Sequence, residues 1–218
     1  MSRLHAVIAN AADIAAHFGA ENDGFAVPPA EIVEGLAGLV VLEINGRRVL
    51  KNLDWGFPRL TREMRLRGDP PGRIGLVADL TNPMWEHVVV DQRYRSLIVL
   101  THFANPDGDE GAKTRTWFSV KDRQILAWAG FCRNTDAFGP VYAGMTQDAN
   151  AAIMPTNDRI PVLLEPHEYE RWLHGSIEDV IGFQFRPPIA ASRMVIDQTK
   201  DRWRSGRLPA SAAQPVFL

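Results

Sequence analysis

The sequence predicts an α+β domain built mostly from antiparallel β-sheet, with a few flanking helices. Short runs rich in apolar, aromatic and β-branched residues follow one another in groups, separated by Gly, Asp, Asn and Lys. These runs do not alternate regularly with helical segments, as the βαβ units of a doubly wound fold would. In addition, Asn45-Gly46 lies between two β-prone runs, which is the pattern of a tight antiparallel hairpin.

The N-terminal part of the chain contains a helix, a loop and this hairpin. An amphipathic helix is predicted over residues 11–18, because Asn10 can cap its start and Gly19 can end it. A loop rich in Gly and Pro follows over residues 24–29. The hairpin then covers residues 39–50, since Asn and Gly both tolerate the positive φ angles of a two-residue turn.

The remainder of the chain is predicted to hold most of the strands. Residues 59–75 contain many Arg, Gly and Pro residues with little periodicity, and we expect an exposed loop there. A short helix then begins at Pro83 with Asn82 as its cap, because a proline in the first turn needs no N–H. Two C-terminal helices are expected over residues 165–173 and 176–181. Strands are predicted over residues 96–101, 116–120, 125–132, 141–145 and 160–164.

Length and composition indicate one main domain. The chain has 218 residues, a hydrophobic fraction of 45% and a net charge of −2, which suit a sizeable core and argue against disorder. We expect residues 1–185 to form the domain and residues 186–218, with scattered Pro, Ser and Ala, to form an irregular C-terminal extension. No run reaches the roughly 18 apolar residues that cross a bilayer, and the start lacks a signal-peptide pattern. We therefore expect a cytoplasmic protein without membrane contact.

The sequence contains no pattern for a metal centre or a cofactor. None of its six histidines belongs to an HExxH or CxxC-type ligand spacing. The phosphate-binding patterns GxGxxG and GxxxxGK[ST] are also missing, so we expect no nucleotide or other cofactor. Cys132, the single cysteine, cannot form an internal disulfide, and it follows an apolar run. We expect it to be a buried, unreactive thiol.

A basic segment between Arg47 and Arg73 holds eight Lys or Arg residues against three acidic ones. Arginines near Trp55 suit a site for single-stranded nucleic acid, because guanidinium groups pair with phosphates and aromatic rings stack on bases. The alternative is a solvated loop without a ligand. Residues 200–207, around Trp203, form a second basic stretch, which we interpret as solvated surface.

Several segments match one known family in order and spacing. They are Phe25-Ala-Val-Pro-Pro-Ala, Leu53-Asp-Trp-Gly-Phe-Pro, Tyr94-Arg-Ser-Leu-Ile-Val, Ile125-Leu-Ala-Trp-Ala-Gly-Phe and Met154-Pro-Thr-Asn-Asp-Arg-Ile-Pro-Val-Leu-Leu. These resemble the segments Asn-Val-Ala-Pro, Arg-Trp-Gly-Leu-Val-Pro, Arg-Arg-Cys-Leu-Val, Pro-Leu-Ala-Phe-Ala-Gly-Leu and Pro-Ile-His-Asp-Arg-Met-Pro-Val-Ile-Leu. That pattern is typical of the SOS response-associated peptidase family, or SRAP. The resemblance covers residues 24–173.

The resemblance implies a barrel-like α+β fold around a cleft that binds single-stranded DNA. In the SRAP family, removal of the first methionine exposes a cysteine at position 2, whose amine and thiol capture the aldehyde of an abasic site. A glutamate, a histidine and an asparagine assist this reaction. An amine attacks the carbonyl, the thiol closes the adduct, and an acid–base pair moves the protons.

This sequence departs from the family pattern at each of those positions. Position 2 is Ser2, the glutamate is replaced by Asn105, and the histidine is replaced by Asn157. Ungapped alignment places Arg73 at the family's asparagine. Because amide side chains do not transfer protons near neutral pH, we expect the proton-transfer machinery to be absent. Ser2 is then a weak candidate for a catalytic residue.

We therefore predict a divergent SRAP protein that binds single-stranded or abasic-site DNA without efficient covalent capture. Two alternatives remain open. One is an active enzyme that uses Ser2 for abasic-site crosslinking and peptidase-like autoprocessing, and the other is a non-catalytic, phage-related interaction protein. The candidate DNA-contacting residues are Pro28, Arg59, Arg62, Arg65, Arg67, Arg73 and Arg159.

Overall fold

The computed structural model describes residues 4–21 and 31–208. Within these ranges the chain forms fifteen β-strands and five α-helices. The strands are β1 Leu4–Ala6, β2 Glu31–Val33, β3 Ala37–Ile44, β4 Arg47–Trp55, β5 Phe57–Arg59, β6 Gly72–Ile74, β7 Leu76–Val77, β8 Arg95–Leu100, β9 His102–Asp107, β10 Thr114–Val120, β11 Leu126–Thr135, β12 Gly139–Asp148, β13 Arg159–Pro161, β14 Leu163–Leu164 and β15 Met194–Arg202. The helices are α1 Ala11–Phe18, α2 Arg62–Arg67, α3 Glu86–Val90, α4 Tyr169–His174 and α5 Ile177–Phe185. None of these helices is long and apolar enough to span a bilayer.

Five strands close into a barrel in the order β12, β4, β3, β8 and β11, because β11 also pairs with β12. Closure leaves these strands without an exposed edge. The short strands β13 and β7 add to β12, and β14 adds to β11. The pairs that β12 makes with β4 and β7 are parallel, whereas the other pairs in this sheet are antiparallel. The predicted α+β class with a mostly antiparallel, barrel-like sheet is therefore confirmed.

A second, fully antiparallel sheet has the strand order β15, β10, β9, β1 and β2. One face of this sheet contributes Phe103 and Phe118 to the main core, which it shares with the barrel. The other face carries a smaller apolar cluster that includes Leu4, Ala104 and Trp117. Side chains alternate between the two faces because successive residues of a strand point in opposite directions.

Four aromatic side chains meet where the second sheet packs on the barrel. His5, Trp55, Trp128 and Tyr142 are each at most 1% exposed, and the His5 ring centroid lies 4.8 Å from that of Trp55. The two indole N–H groups donate to backbone carbonyls at 2.8 and 2.6 Å, which satisfies their buried donors. The barrel strands leave room for these rings through glycine, since a Cβ on Gly144 would lie 2.0 Å from Trp128. We call these four residues the buried aromatic group.

The first helix and the hairpin are confirmed. Asn10 accepts a hydrogen bond from the backbone N–H of Asp13 at 2.8 Å, and Gly19 ends α1 with a φ of 58°. Asn45 and Gly46 have φ values of 53° and 72° and join β3 to β4 in the register that the two-residue turn requires. The loop expected over residues 24–29 lies outside the described residues.

The later elements are also confirmed, with small shifts at their ends. Asn82 caps the helical segment that starts at Pro83 by accepting from the N–H of Met84 at 3.0 Å. All five later predicted strands form: they correspond to β8, β10, β11, β12 and the consecutive short strands β13 and β14. The helix expected over residues 165–173 begins as a 3-10 turn and continues as α4, and α5 extends four residues beyond its expected end.

The expectation of a loop over residues 59–75 is wrong in its secondary structure. The segment contains β5, the helix α2 and β6, and β5 pairs with β6. Thr61 caps α2 by accepting from the N–H of Met64 at 3.2 Å, and Gly68 ends the helix in the left-handed region. The helix has no apolar periodicity because none of its residues is buried. The exposure expected of this segment is confirmed for α2.

Part of the expected irregular extension is also regular structure. Residues 194–202 form β15, which pairs with β10 from Val120↔Met194 to Thr114↔Arg202. Most of its side chains are not buried, so the sequence lacks the apolar alternation of an ordinary strand. This segment is therefore ordered by backbone pairing with β10. The domain boundary at residue 185 stays a prediction.

Candidate functional site

Two amide side chains from distant parts of the chain meet at one end of the second sheet. The Nδ2 of Asn157 donates to the Oδ1 of Asn105 at 3.4 Å, across 52 residues of sequence. The Nδ2 of Asn105 donates to the hydroxyl of Thr156 at 3.0 Å. Asn105 is fully buried and Asn157 is 8% exposed. We call these two residues the amide pair.

Local backbone structure positions both amides. Asn105 lies in β9, where its backbone pairs with Thr116 of β10. Asn157 follows a series of turns that Asn150 holds by accepting from two backbone N–H groups at 3.0 and 3.1 Å. The Oδ1 of Asn157 accepts from the backbone N–H of Arg159 at 3.1 Å, which orients the amide at the start of β13.

The start of β1 lies beside this strand. Leu4, the first described residue, pairs with Ala104, which directly precedes Asn105 in β9. The candidate residues Ser2 and Pro28 lie outside the described residues. The structure therefore brings the first described strand next to the amide pair without describing the residue 2 side chain.

Of the histidines on β1 and β9, His5 is buried and His102 is half-buried, and the pKa values of both are lowered. Burial lowers the pKa of His5 to about 3 and the pKa of His102 to about 4. The Nε2 of His5 lies 3.4 Å from the hydroxyl of Tyr142, and burial raises the pKa of that hydroxyl well above its ordinary value. Both histidines are therefore neutral near pH 7.

Arg159 is held by contacts within the protein. Its guanidinium donates to the carboxylate of Asp148 at 2.7 Å and to the carbonyls of Ala78 and Thr146 at 2.9 and 2.7 Å. The side chain is 20% exposed. These contacts support a role in fixing β13 to β12 and β7, and a contact of Arg159 with DNA stays a prediction.

Arg73 is also held internally. It lies in β6 and donates to the carboxylate of Asp54 and to the carbonyl of Gly56, both at 3.3 Å. Its guanidinium stacks 3.9 Å from the centroid of the Phe138 ring, within the range of a cation–π contact. The structure thus brings Arg73 to these groups rather than to the amide pair, although the alignment placed it at the family's asparagine.

The other four candidate arginines lie close together in the sequence, on β5 and α2. Arg59 ends β5, and Arg62, Arg65 and Arg67 lie on α2; all four are exposed. The turn after the helix places Asp69 at 2.8 Å from Arg67, an exposed ion pair. We call the segment from β5 to β6 the arginine arm. Its exposed cations suit contact with phosphate groups in solution.

A groove that the sequence did not predict lies between the β9–β10 turn and the end of β15 with the residues that follow it. Lys113, Arg202, Trp203 and Arg204 line it, and its volume is about 590 Å³. The basic stretch over residues 200–207 was visible in the sequence, but its partner strand was not.

The described residues contain no metal centre. Within residues 4–21 and 31–208, no three His, Cys, Asp or Glu side chains are grouped so that they could hold a metal ion. Cys132 is free and buried, and burial raises the pKa of its thiol to about 12. The predicted burial of this thiol is therefore confirmed, and its raised pKa disfavours the reactive thiolate.

Comparison with solved structures shows that the fold recurs. A protein from Bordetella bronchiseptica is 19% identical, with a TM-score of 0.73 over 91% of this chain and 99% of that one. A protein from Bacteroides thetaiotaomicron is 15% identical, with a TM-score of 0.71 over 90% and 91%. A phage-related protein from Bordetella bronchiseptica is 17% identical, with a TM-score of 0.65 over 90% and 93%. At these identities the likeness concerns the fold.

Sequence comparison identifies the family. No curated protein matches the chain. The family model described as SOS response associated peptidase (SRAP) matches residues 2–196. Because this match covers most of the 218 residues, the chain belongs to the SRAP family, and membership supports a function associated with DNA damage.

Proposed function

We propose that this protein binds single-stranded DNA, including strands with abasic sites, without efficient covalent capture. The observation that carries the proposal is the contact between Asn105 and Asn157. The family pattern has a glutamate and a histidine at these positions, and here two amides stand in their place. The meeting of the two positions supports the alignment, and their chemistry argues against proton transfer.

An amide pair cannot replace an acid and a base. An asparagine side chain has two N–H donors and one carbonyl acceptor, and it does not change protonation near neutral pH. General acid–base catalysis contributes typically 10²–10⁴-fold to a rate, so its loss weakens any capture reaction by about that factor. A serine at position 2 adds a second loss, because a hydroxyl is a much weaker nucleophile than a thiol.

The binding part of the proposal rests on the arginine arm. Four exposed arginines lie in one short segment, and α2 has no buried residue. Such arginines contact phosphates at little cost in desolvation, and they bind without regard to base sequence. Membership of a family that interacts with DNA supports this assignment.

The covalent part is tested with a single-stranded oligonucleotide that carries one abasic site. Wild-type protein is mixed with this strand and resolved on a denaturing gel, and we expect no stable adduct. The variant Ser2→Cys/Asn105→Glu/Asn157→His restores the family's groups, and we expect it to form an adduct. Ser2→Cys alone is the matched control, with a thiol but no acid or base. A stable wild-type adduct that Ser2→Ala removes would establish the enzyme alternative instead.

The binding part is tested by fluorescence anisotropy over a range of salt concentrations. The arm variant Arg62→Ala/Arg65→Ala/Arg67→Ala should bind an intact strand more weakly and lower the salt slope by about 2, given a slope of about 0.7 per phosphate contact. The control variant Arg47→Ala/Arg93→Ala/Arg171→Ala loses the same charge from exposed arginines elsewhere. Equal losses of DNA affinity in the two variants would show that the effect comes from net charge and not from the arm. Failure of the wild-type protein to bind at low salt would point to the interaction-protein alternative.

A further inference from the structure

The helices α3 and α5 carry exposed apolar side chains. Ile177, Ile181 and Phe185 lie four residues apart on α5, so they share one side of the helix, and they are 40, 41 and 72% exposed. Met84 lies two residues before α3 and Val90 ends it, and both are exposed as well. A helix in a globular protein usually buries such a stripe. These side chains are therefore candidates for an interaction surface.

Hydrogen bonds at both ends place α3 beside α5. The side chain of Gln92, two residues after α3, donates to the carbonyl of Gly175, two residues before α5, at 3.2 Å. At the other end, the backbone N–H of Leu80 donates to the Oε1 of Gln184 at 3.2 Å. The helices pack against each other and run antiparallel, so the end of α3 is level with the start of α5. We call their exposed apolar residues the apolar face, and its members are Met84, Val90, Ile177, Ile181 and Phe185.

The unpaired charges beside the apolar face are acidic. Four arginines near it already have carboxylate partners in the chain, and they are Arg93, Arg159, Arg171 and Arg186. In contrast, three exposed carboxylates take part in no ion pair within the described residues, namely Asp79, Glu86 and Glu178. Asp79 lines a cavity with Phe185, and the two glutamates lie on α3 and α5 themselves. The apolar face therefore suits a partner whose apolar side chains are accompanied by cations.

The arginine arm has this composition. Its apolar residues Leu60 and Leu66 are 40 and 78% exposed. Three of its arginines have no ion-pair partner in the part of the chain that the structure describes, and they are Arg59, Arg62 and Arg65. Glu63 is the one acidic residue of the described arm without such a partner. Because Leu66 and Phe185 are both mostly exposed, the arm does not cover the apolar face of its own copy.

The arm and the apolar face adjoin each other. The ring of Phe57, the first residue of β5, lies 5.4 Å from the ring of Trp85, which directly precedes α3. One two-fold rotation can therefore place the arm of each copy on the apolar face of the other. We propose that two copies of this chain form such a dimer, in which the arginine arm of each lies on the apolar face of its partner. The inference goes beyond the proposed function, and its test uses protein without DNA so that the two can fail separately.

Sedimentation velocity at low salt tests whether the dimer forms through both surfaces. We expect wild-type protein to sediment with twice the mass of the chain. Phe185→Glu in the apolar face and Leu66→Glu in the arm should each raise the dissociation constant on the order of tenfold or more, because each places a charge against an apolar surface. The control Met154→Glu makes the same change at a side chain that is 57% exposed before β13, and it should leave the dimer intact. A monomeric wild-type protein, or a Leu66→Glu variant that dimerises like the wild type, would overturn the inference.

A charge exchange tests which surface meets which. Glu86→Arg/Glu178→Arg makes the apolar face basic, and Arg62→Glu/Arg65→Glu makes the arm acidic. In either variant alone, the arm and the face carry like charges, so each should be monomeric. In an equimolar mixture, both contacts of a mixed dimer join opposite charges, and we expect the dimer mass to return. All four positions are exposed, and urea denaturation confirms that the variants are folded.

A matched control separates this contact from attraction between opposite net charges. Arg47→Glu/Arg204→Glu makes the same change in charge at exposed arginines outside the arm, and it should not restore a dimer with the face variant. Restoration by this control to the same extent would overturn the inference. A mixture of the arm and face variants that stays monomeric, beside a dimeric wild-type protein, would likewise show that the arm does not meet the apolar face.

Discussion

The buried aromatic group and the arginine arm are close in sequence but differ in how their side chains are held. Trp55 is fully buried at the end of β4, whereas Arg59, four residues later, is exposed. The aromatic side chains contact one another and donate to backbone carbonyls, while no residue of α2 is buried. The difference teaches that the residues that stabilise the fold are separate from those proposed to bind DNA, so each set can be changed with little expected effect on the other.

The largest expected effect comes from removing a ring of the buried aromatic group. Trp128→Ala deletes a side chain that is 1% exposed and a hydrogen bond of 2.6 Å to the carbonyl of Met145. Such a change leaves a cavity, and we expect a loss of about 3–5 kcal/mol in the free energy of unfolding, measured by urea denaturation. The control is Leu66→Ala in the arm, where the side chain is 78% exposed. A loss below about 1 kcal/mol for Trp128→Ala would contradict the description of the core.

Local signals explain which parts of the fold could be predicted from sequence. The α1 caps and the Asn45-Gly46 turn depend on residues within one or two turns of chain, so the pattern alone identifies them. Strand β9 contains Asn105-Pro106, a poor strand sequence, and forms through pairing with β1 and β10. Strand β15 is mostly unburied and likewise depends on a distant partner.

In the candidate site, too, some features can be predicted from the sequence and others depend on distant parts of the chain. Family resemblance locates Asn105 and Asn157 in the sequence, but only the fold shows that they are in contact across 52 residues. Resemblance also suggested Arg159 as a DNA contact, and the basic segment suggested Arg73. Their carboxylate, carbonyl and aromatic partners come from other segments, so the sequence could not reveal that both guanidinium groups have internal partners.

The second prediction concerns the pH dependence that the buried aromatic group creates. Burial lowers the pKa of His5 from 6.5 to about 3 in the folded protein. Between these values the unfolded chain binds more protons than the folded one, so stability is complete above pH 6.5 and falls as the pH drops toward 3. We expect His5 to contribute a loss of about 2 kcal/mol by pH 5, measured by urea denaturation.

The variant His5→Phe isolates this contribution. It keeps an aromatic ring against Trp55 and removes the titrating group, so the decline between pH 7 and pH 5 should become shallower. His102, whose pKa is lowered to about 4, should account for part of the decline that remains. An unchanged slope in His5→Phe would show that His5 does not control the pH dependence.

A third, smaller effect is expected at the end of the arm helix. Gly68 has a φ of 71°, and a Cβ added there would meet no atom within 4 Å. Gly68→Ala should therefore cost only the strain of the left-handed conformation, about 1 kcal/mol. Gly182→Ala on α5 is the matched control, because that position is helical and open, and alanine should stabilise it slightly. Urea denaturation measures the change in the free energy of unfolding of each variant. A change of the same sign in both variants would contradict the prediction.

The smallest effect on stability is expected from removing the arm's charges. Because stability should hardly change, a change in DNA affinity can be attributed to contact. Arg62, Arg65 and Arg67 are exposed, and the ion pair of Arg67 with Asp69 is at the surface, where such pairs contribute about 0–1 kcal/mol. We expect the free energy of unfolding of Arg62→Ala/Arg65→Ala/Arg67→Ala in urea to lie within about 1 kcal/mol of the wild-type value.

The control variant Arg95→Ala makes the same chemical change at a buried arginine that donates to the carbonyl of Gly175 at 2.6 Å, and it should cost several times more stability. If the arm variant loses as much stability as Arg95→Ala, the arm belongs to the folded core and a loss of DNA affinity cannot be assigned to contact. If it retains its stability while its DNA affinity falls, the loss is assigned to contacts between the arm and DNA.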